Sequence, residues 1–488
     1  MRQEKLTIGW RKLDNTAKIF PVIANENMSQ VFRISVTLKR EVEPEILQQA
    51  LEDILPHIHN FRVKLRRGLF WYYFEENAIV PHVQRESTYP CRYFDPHGNR
   101  KFLFRVTYYR RRINLEVFHA LTDGLGAVNF LKSLTRRYLD ILGGTSEYWG
   151  PGDEHAEQDQ EFHVEDSYLR NYREMPHHSY SSSPAFRLEG NYLPLGAEQV
   201  LHGYVNVKEL KTVCRKYEVS ITKYLAAALI WSIWKEYLDG KSCQRPVVLN
   251  LPINLRAFFG SDTMSNFFAV TMIGYLFRKP DMDFETLLGI VSRQMDRKID
   301  KKRLEESISY NVSNEKKWYL RVIPLPVKRL ALNLVFRLKD RAYTMTLSNV
   351  GPVQMEAEYA TEIERFHIMI GVSRRQPLKC AVCAFGDEVV ITFTSVFADS
   401  HLQRRFFGKL KEDGVRVRLE GNEMSAARKR DMYPRIRPVL ILRKGGEAKA
   451  SRVVRQVGHT GETAAKGLGD YLTGRKDWKE ELNRRLHF

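Results

Sequence analysis

The 488-residue sequence predicts an α/β fold, an α+β sandwich, made of two similar halves. Three observations point there. Strand-like and helix-like hydrophobic periods alternate along most of the chain. A strand–turn–helix unit at Ile113–Leu134 returns in degenerate form at Val389–Leu410. Between them, residues 151–166 carry seven acidic residues and no Lys or Arg, which reads as a solvated crossover. Hydrophobic residues at 43% and aromatic residues at 11% can fill sizeable cores and exclude global disorder.

In the first half, residues 1–150, Phe32–Leu38 reads as a strand. Pro44–Leu55 reads as a helix, with Ile46, Leu47, Ala50, Leu51, Ile54 and Leu55 at helical spacing and Pro44 near its start. Arg62–Leu65 and Leu69–Phe74 read as a hairpin around Arg67-Gly68, and Phe102–Tyr109 and Ile113–Phe118 as strands. The crossover spans 151–190 and includes His177-His178, a loop pair with no third ligand at a helpful spacing. In the second half, 191–420, strands are expected at Gly203–Val207, Val247–Ile253, Phe267–Leu276, Tyr343–Ser348, Ile363–Val372, Leu378–Phe385 and Glu388–Val396. Helices are expected at Val207–Tyr217, Phe284–Ile299, a basic stretch to Lys339, and His401–Leu410. Ser220 is placed to cap the helix Ile221–Leu238, apolar almost all round and so expected to be buried. After residue 420 the periodicity fades. The remainder, 421–488, reads as a basic, disordered tail with 16 Lys or Arg against 8 Asp or Glu.

The unit Ile113–Leu134 holds the most chemistry. Ile113, Leu115 and Val117 alternate with Asn114 and Glu116 as in a half-buried strand. His119 stands where the strand ends, and Asp123-Gly124 makes the turn into a helix with Ala127, Leu131, Leu134, Tyr138 and Ile141 on one face. An imidazole at such a mouth can hold one ring nitrogen fixed and turn the other towards a cleft, and it suits proton removal near neutral pH. A merely satisfied histidine beside a turn aspartate has the same spacing. With a constant offset of 276, Asp399 matches Asp123, Phe406 matches Phe130, Leu410 matches Leu134, and Ser395 stands in the place of His119. Only the first copy keeps a base.

Other classes are narrowed by composition. The net charge of +19 raises nucleic acid or an anionic membrane as partners, but no zinc-finger, helix-turn-helix or RNP-like signature accompanies it, and no nucleic acid is expected. No run of about 18 apolar residues occurs, so no transmembrane segment is expected. The charged start MRQEKLTIGW does not resemble a secretory signal. Five cysteines make no disulfide framework and fit a reduced, cytoplasmic setting. Cys380 and Cys383 form a CxxC on a strand, where positions three apart face opposite ways, so neither a redox pair nor a metal site is expected. No serine or cysteine sits in a nucleophile elbow.

HALTDG, His119–Gly124, matches HxxxDG, the signature of the chloramphenicol acetyltransferase-like superfamily, which includes BAHD acyltransferases, condensation domains and the alcohol acetyltransferase group. The motif follows a strand about 120 residues in, as it does there. Leu251–Phe268 (LPINLRAFFGSDTMSNFF) resembles the family's second-half segment, and Thr346–Pro352 (TLSNVGP) resembles a Ser-Asn-x-x-Gly-Pro stretch. The wording FHALTDGLGAVNFLKSL most resembles bacterial alcohol acetyltransferases. The resemblance covers roughly residues 1–420. Phe118 replaces the first His of the condensation-domain HHxxxDG, and no DFGWG of the plant type is present.

The resemblance implies two chloramphenicol acetyltransferase-like domains forming a pseudo-dimer with a central tunnel, complete enough to work as a monomer. His119 would be the general base in direct acyl transfer. Asp123 would pair with an arginine and shape the loop, with Arg62 in HNFRVKL preferred and Arg256 in NLR as rival. Gly124 would allow the tight turn. Backbone N–H groups there, Ser348, Asn349 and Asn266 would be candidates for holding the oxyanion or substrate, with Asn266 also placed at the domain interface. The expected reaction moves an acyl group, acetyl first, from CoA to a small-molecule alcohol. CoA would be a co-substrate, with no tightly bound cofactor and no metal. The alternatives are a carrier-protein thioester donor with a hydroxylated lipid or polyketide acceptor, an inactive relative, or a non-catalytic basic nucleic-acid- or membrane-binding protein. Part of the positive charge would face the phosphates of CoA, and +8 of it belongs to the tail.

Overall fold

The structure, a computed structural model, describes residues 9–93, 95, 102–144, 165–175, 183–194, 196–317 and 322–422. Most of the acidic crossover, His177, His178 and the basic tail from residue 423 lie outside the described residues.

Two large sheets and one small sheet form the frame. The first large sheet has five strands in the order Ile363–Ile370, Val31–Leu38, Arg112–Phe118, Phe104–Tyr109 and Gln84–Arg85. All its pairings are antiparallel except the last. The second has seven, in the order Phe268–Tyr275, Val247–Asn254, Met345–Pro352, Leu378–Phe385, Glu388–Ser395, Gln199–Asn206 and Val417–Gly421. Met345–Pro352 runs parallel to both its neighbours. A hairpin, Val63–Arg67 with Tyr72–Glu76, turns through residues 68–71 rather than at Arg67-Gly68. Arg67 still pairs with Tyr72, and Leu69 and Phe70, expected in the second strand, form the tip. The hairpin is joined by Trp10–Lys12.

The strand Ile363–Ile370 belongs by sequence to the second half, yet it pairs with Val31–Leu38 at the edge of the first sheet. A one-dimensional hydrophobic pattern specifies a strand but not its neighbour. Each large sheet has its own apolar core. One gathers Leu47, Leu51, Phe61, Phe104, Phe130 and Leu134, the other Leu225, Ile230, Trp234, Phe393, Phe406 and Leu410. Phe130 and Phe406, matched by the 276-residue offset, are both fully buried. The same offset pairs the first residues of the strands Arg112–Phe118 and Glu388–Ser395.

The other face of the first sheet is buried but polar. Arg33 donates to Glu116 through Nε at 2.9 Å and Nη2 at 2.7 Å, and Ser35 Oγ donates to Asn114 Oδ1 at 2.8 Å. Pairing makes burial of these groups affordable. Cys380 and Cys383 are both buried and point into different cores, as the strand spacing required. The helix Ile221–Tyr237 is buried along most of its length, and the Lys223 amide donates to Ser220 Oγ at 3.4 Å, a long cap. Among the described residues the basic stretch to Lys339 forms the helices Lys301–Lys316 and Leu325–Lys339. Among the described residues no helix is long and apolar enough to cross a membrane.

Candidate functional site

His119 follows the last residue of the strand Arg112–Phe118, and its amide donates to the Gln30 carbonyl at 2.9 Å. Its ring lies face to face with Phe20, centroids 4.4 Å apart, with Phe32 and Phe268 at 5.1 and 5.5 Å. The ring is partly reachable by solvent although protein surrounds it. Burial pushes the imidazolium below the usual histidine range, and the charge of Lys379 adds to this. Its own carbonyl, Asp123 and Asn266 pull the other way without reversing the shift.

Asn266 sets the tautomer. Its Nδ2 donates to Asp14 Oδ2 at 3.1 Å, so its Oδ1 is the atom turned to His119 Nδ1, at 3.1 Å. An amide oxygen only accepts, so Nδ1 carries the proton and Nε2 keeps its lone pair. Asp14 is held in turn by the amides of Ala17 at 2.7 Å and Asn266 at 3.2 Å. Burial raises the Asp14 carboxyl to about 7 despite those donors. Asp14 carried no signal in the sequence. It sits in a segment without periodicity, and its partner lies 252 residues away.

Asp123 caps the helix Gly124–Leu142 by accepting from the Gly126 amide at 3.2 Å. It also accepts from Arg256 Nη1 at 2.8 Å, Arg256 Nη2 at 3.1 Å and the Phe267 amide at 2.9 Å. Burial favours its neutral form, but Arg256 and the two amides outweigh this and hold it below the usual carboxylate range. The partner is therefore Arg256. Arg62, the residue preferred from sequence, faces Glu76 at 3.8 Å and is partly exposed. It precedes the strand Val63–Arg67, whose register sets Val63 opposite Glu76 and carries Arg62 to the same edge. The remaining Arg256 donors reach the carbonyls of Thr263 and Ser265 at 2.9 and 2.8 Å and Asn254 Oδ1 at 3.3 Å.

The motif loop is tied to the second half directly and through Asn60. Thr122 Oγ1 donates to the Met264 carbonyl at 2.5 Å, and Asn60 Nδ2 bridges the carbonyls of Leu121 and Met264 at 3.2 and 3.1 Å. Gly126, which sequence reading passed over, has no room for a side chain. A Cβ there would overlap Thr122 Oγ1 and come within 2.9 Å of the Met264 oxygen. Gly124 is less constrained, since its Cβ would meet only a Val350 methyl at 3.3 Å.

Val350 belongs to Met345–Pro352, the strand carrying Ser348 and Asn349. The Asn349 amide is committed to the fold, because Nδ2 donates to Thr222 Oγ1 at 2.9 Å and Oδ1 accepts from the Gly351 amide at 2.9 Å. Ser348 pairs with Ala381 and Thr346 with Lys379 in parallel register, so Ser348 and Lys379 share a sheet face. Burial lowers the Lys379 ammonium to about 8. In the degenerate copy, Ser395 is fully buried and its Oγ accepts from the Phe397 amide at 2.9 Å, while Asp399 takes a hydrogen bond from Asn191. The cap position of the helix His401–Glu412 is Ser400 rather than Asp399, and its side chain makes no capping hydrogen bond.

No family model matches this sequence, and no curated protein matches it significantly. Solved structures do. TRI101 of F. graminearum, complexed with ethyl coenzyme A, superposes with a TM-score of 0.57 at 12% identity over 84% of this chain and 100% of that one. Polyketide synthase associated protein 5 from Mycobacterium tuberculosis gives 0.52 at 12% identity over 82% and 97%. A starter condensation domain of rhizomide synthetase, complexed with C8-CoA and Leu-SNAC, gives 0.51 at 14% identity over 83% and 94%. The chain shares their two-lobed chloramphenicol acetyltransferase-like fold.

Proposed function

We propose that this chain is an acyltransferase that moves an acyl group, acetyl first, from CoA to the hydroxyl of a small-molecule alcohol, with His119 as general base. One observation carries the reading. The Asp14–Asn266–His119 chain leaves Nε2 as the lone-pair nitrogen of a half-buried imidazole whose proton affinity burial has lowered. His119 Nε2 takes the hydroxyl proton as the acceptor oxygen attacks the thioester carbonyl. A carbon–oxygen bond forms, the carbon–sulfur bond breaks, and the proton held on Nε2 passes to the departing thiolate. General-base action of this kind contributes about 10²–10⁴-fold. Ser348 is the side chain we assign to the developing oxyanion, and Asp123 with Arg256 to holding the loop. The fold shared with structures holding CoA or acyl-CoA, and the net charge of +19, support a phosphate-bearing donor.

Free thiol released from acetyl-CoA, followed over a panel of alcohols and amines, tests the proposal. Turnover should fall at least about 100-fold in His119→Ala. Equal turnover in both proteins would sink the assignment. The likeness to a polyketide synthase associated protein favours a second reading, a carrier-protein thioester donor. Turnover with acyl carrier protein but not with CoA would select it.

A further inference from the structure

The helix Leu325–Lys339 turns an apolar stripe towards solvent. Val327, Leu330, Leu334, Val335 and Leu338 are between 45% and 77% exposed. They follow the i, i+3, i+7, i+8, i+11 spacing of a single helical face. The opposite side does the packing. Leu325 and Lys328 are buried, Leu332 and Phe336 lie against the first core, and Asn333 Nδ2 donates to the Val22 carbonyl at 3.2 Å.

The tip of the Val63–Arg67/Tyr72–Glu76 hairpin is fastened beside this helix. The Leu325 amide donates to the Leu69 carbonyl at 2.8 Å, and Lys328 Nζ donates to the Phe70 carbonyl at 3.1 Å while lying 3.8 Å over the Trp71 ring. Leu69 and Phe70 are themselves exposed. Two segments distant in sequence are thus held together, each with large apolar side chains outward, and exposed apolar surface of that kind marks interaction sites.

Charge selects the occupant. The helix holds Lys328, Arg329, Arg337 and Lys339 and no Asp or Glu, and the exposed Arg337 and Lys339 stand on either side of Leu338. Arg67 is exposed at the hairpin tip. An apolar stripe bordered by cations matches a surface that is apolar within and anionic at its head groups, the pattern of helices lying in a membrane interface. A second copy of the same patch would set like charges against each other. We propose that this face docks onto an anionic lipid surface. The helix packs on Phe20–Ile23, whose Phe20 ring stacks on His119, so the docked face lies one element from the imidazole.

Vesicle co-sedimentation of the full chain tests this. Vesicles of phosphatidylcholine alone are compared with vesicles of equal parts phosphatidylcholine and phosphatidylglycerol. Wild type should partition at least about tenfold better onto the anionic vesicles and lose this with added salt. Leu330→Asp with Leu334→Asp should fall to the neutral-vesicle level with an unchanged thermal melt, and Arg337→Glu with Lys339→Glu should do the same by a different chemistry. Wild type left in the supernatant would overturn the proposal. So would undiminished sedimentation of both double variants, which would assign binding elsewhere on the chain. A dimer in light scattering that Leu330→Asp dissolves would overturn it in favour of a second copy.

Discussion

Arg256 grips the Asp123 carboxylate with both terminal nitrogens, at 2.8 and 3.1 Å, and so binds the second half of the chain to the turn just after His119. Neither group reaches the imidazole by a hydrogen bond. Asp123→Ala should leave Arg256 charged, buried and short of its main acceptor, at a cost of about 3–5 kcal/mol. The melting temperature should drop in step with activity. A fully stable but inactive variant would refute this structural role.

Asp14 acts at one remove, and its effect is testable through hydrogen-bond polarity. In Asp14→Asn one side-chain oxygen replaces two acceptors, so the new NH₂ is set either against the Ala17 amide or against the backbone and side-chain N–H groups of Asn266. Either way the anchor that fixes the Asn266 amide, and through it the His119 tautomer, is weakened. We expect kcat to fall at least about tenfold with KM little changed. Retention of wild-type kcat would remove Asp14 from the site.

The same carboxyl should mark the stability profile. Its folded value, about 7, lies above the ordinary value of 3.8, so between these limits the folded protein holds a proton the unfolded chain has released. Stability from this group is therefore present at low pH and declines as pH rises from about 4 to about 7. Denaturant melts across that window should show the decline in wild type and a flatter profile in Asp14→Asn.

Lys379 lowers the proton affinity of His119 through its charge. The acid limb of kcat/KM should thus lie below the usual histidine value, with activity lost as pH falls through it. Lys379→Met removes that charge, so the limb should move to higher pH. An unmoved limb would mean that Lys379 is too well screened to matter.

The two glycines of the motif loop should differ. Gly126→Ala drives a methyl into Thr122 Oγ1 and the Met264 oxygen and should cost about 1–3 kcal/mol. Gly124→Ala needs only a small retreat of the Val350 methyl and should cost clearly less. Paired thermal melts decide this, and equal destabilisation would contradict the packing described.

Much was legible before any coordinates. Period-two and helical patterns placed the main strands and helices because side chains answer to local geometry. The 276-residue offset located both copies of the strand–turn–helix unit, and the matched Leu134 and Leu410 are both fully buried. The pattern missed short elements such as Trp10–Lys12 and Val417–Gly421, too brief to show a period. It could not choose Arg256 over Arg62, since both arginines follow plausible local wording and only packing separates them.

The sequence by itself determined the alternation of elements, the position of His119 at a strand end and the glycine turn beyond it, because these depend on neighbours a few residues away. Only the tertiary structure decided what His119 meets. Asn266 and Asp14 come to it from segments far off in the chain, Ile363–Ile370 crosses to the other sheet, and Leu325–Lys339 is left with an apolar face outward. Hydrogen bonds and burial are properties of surfaces brought together, and a linear pattern carries no record of which surface its partner will be.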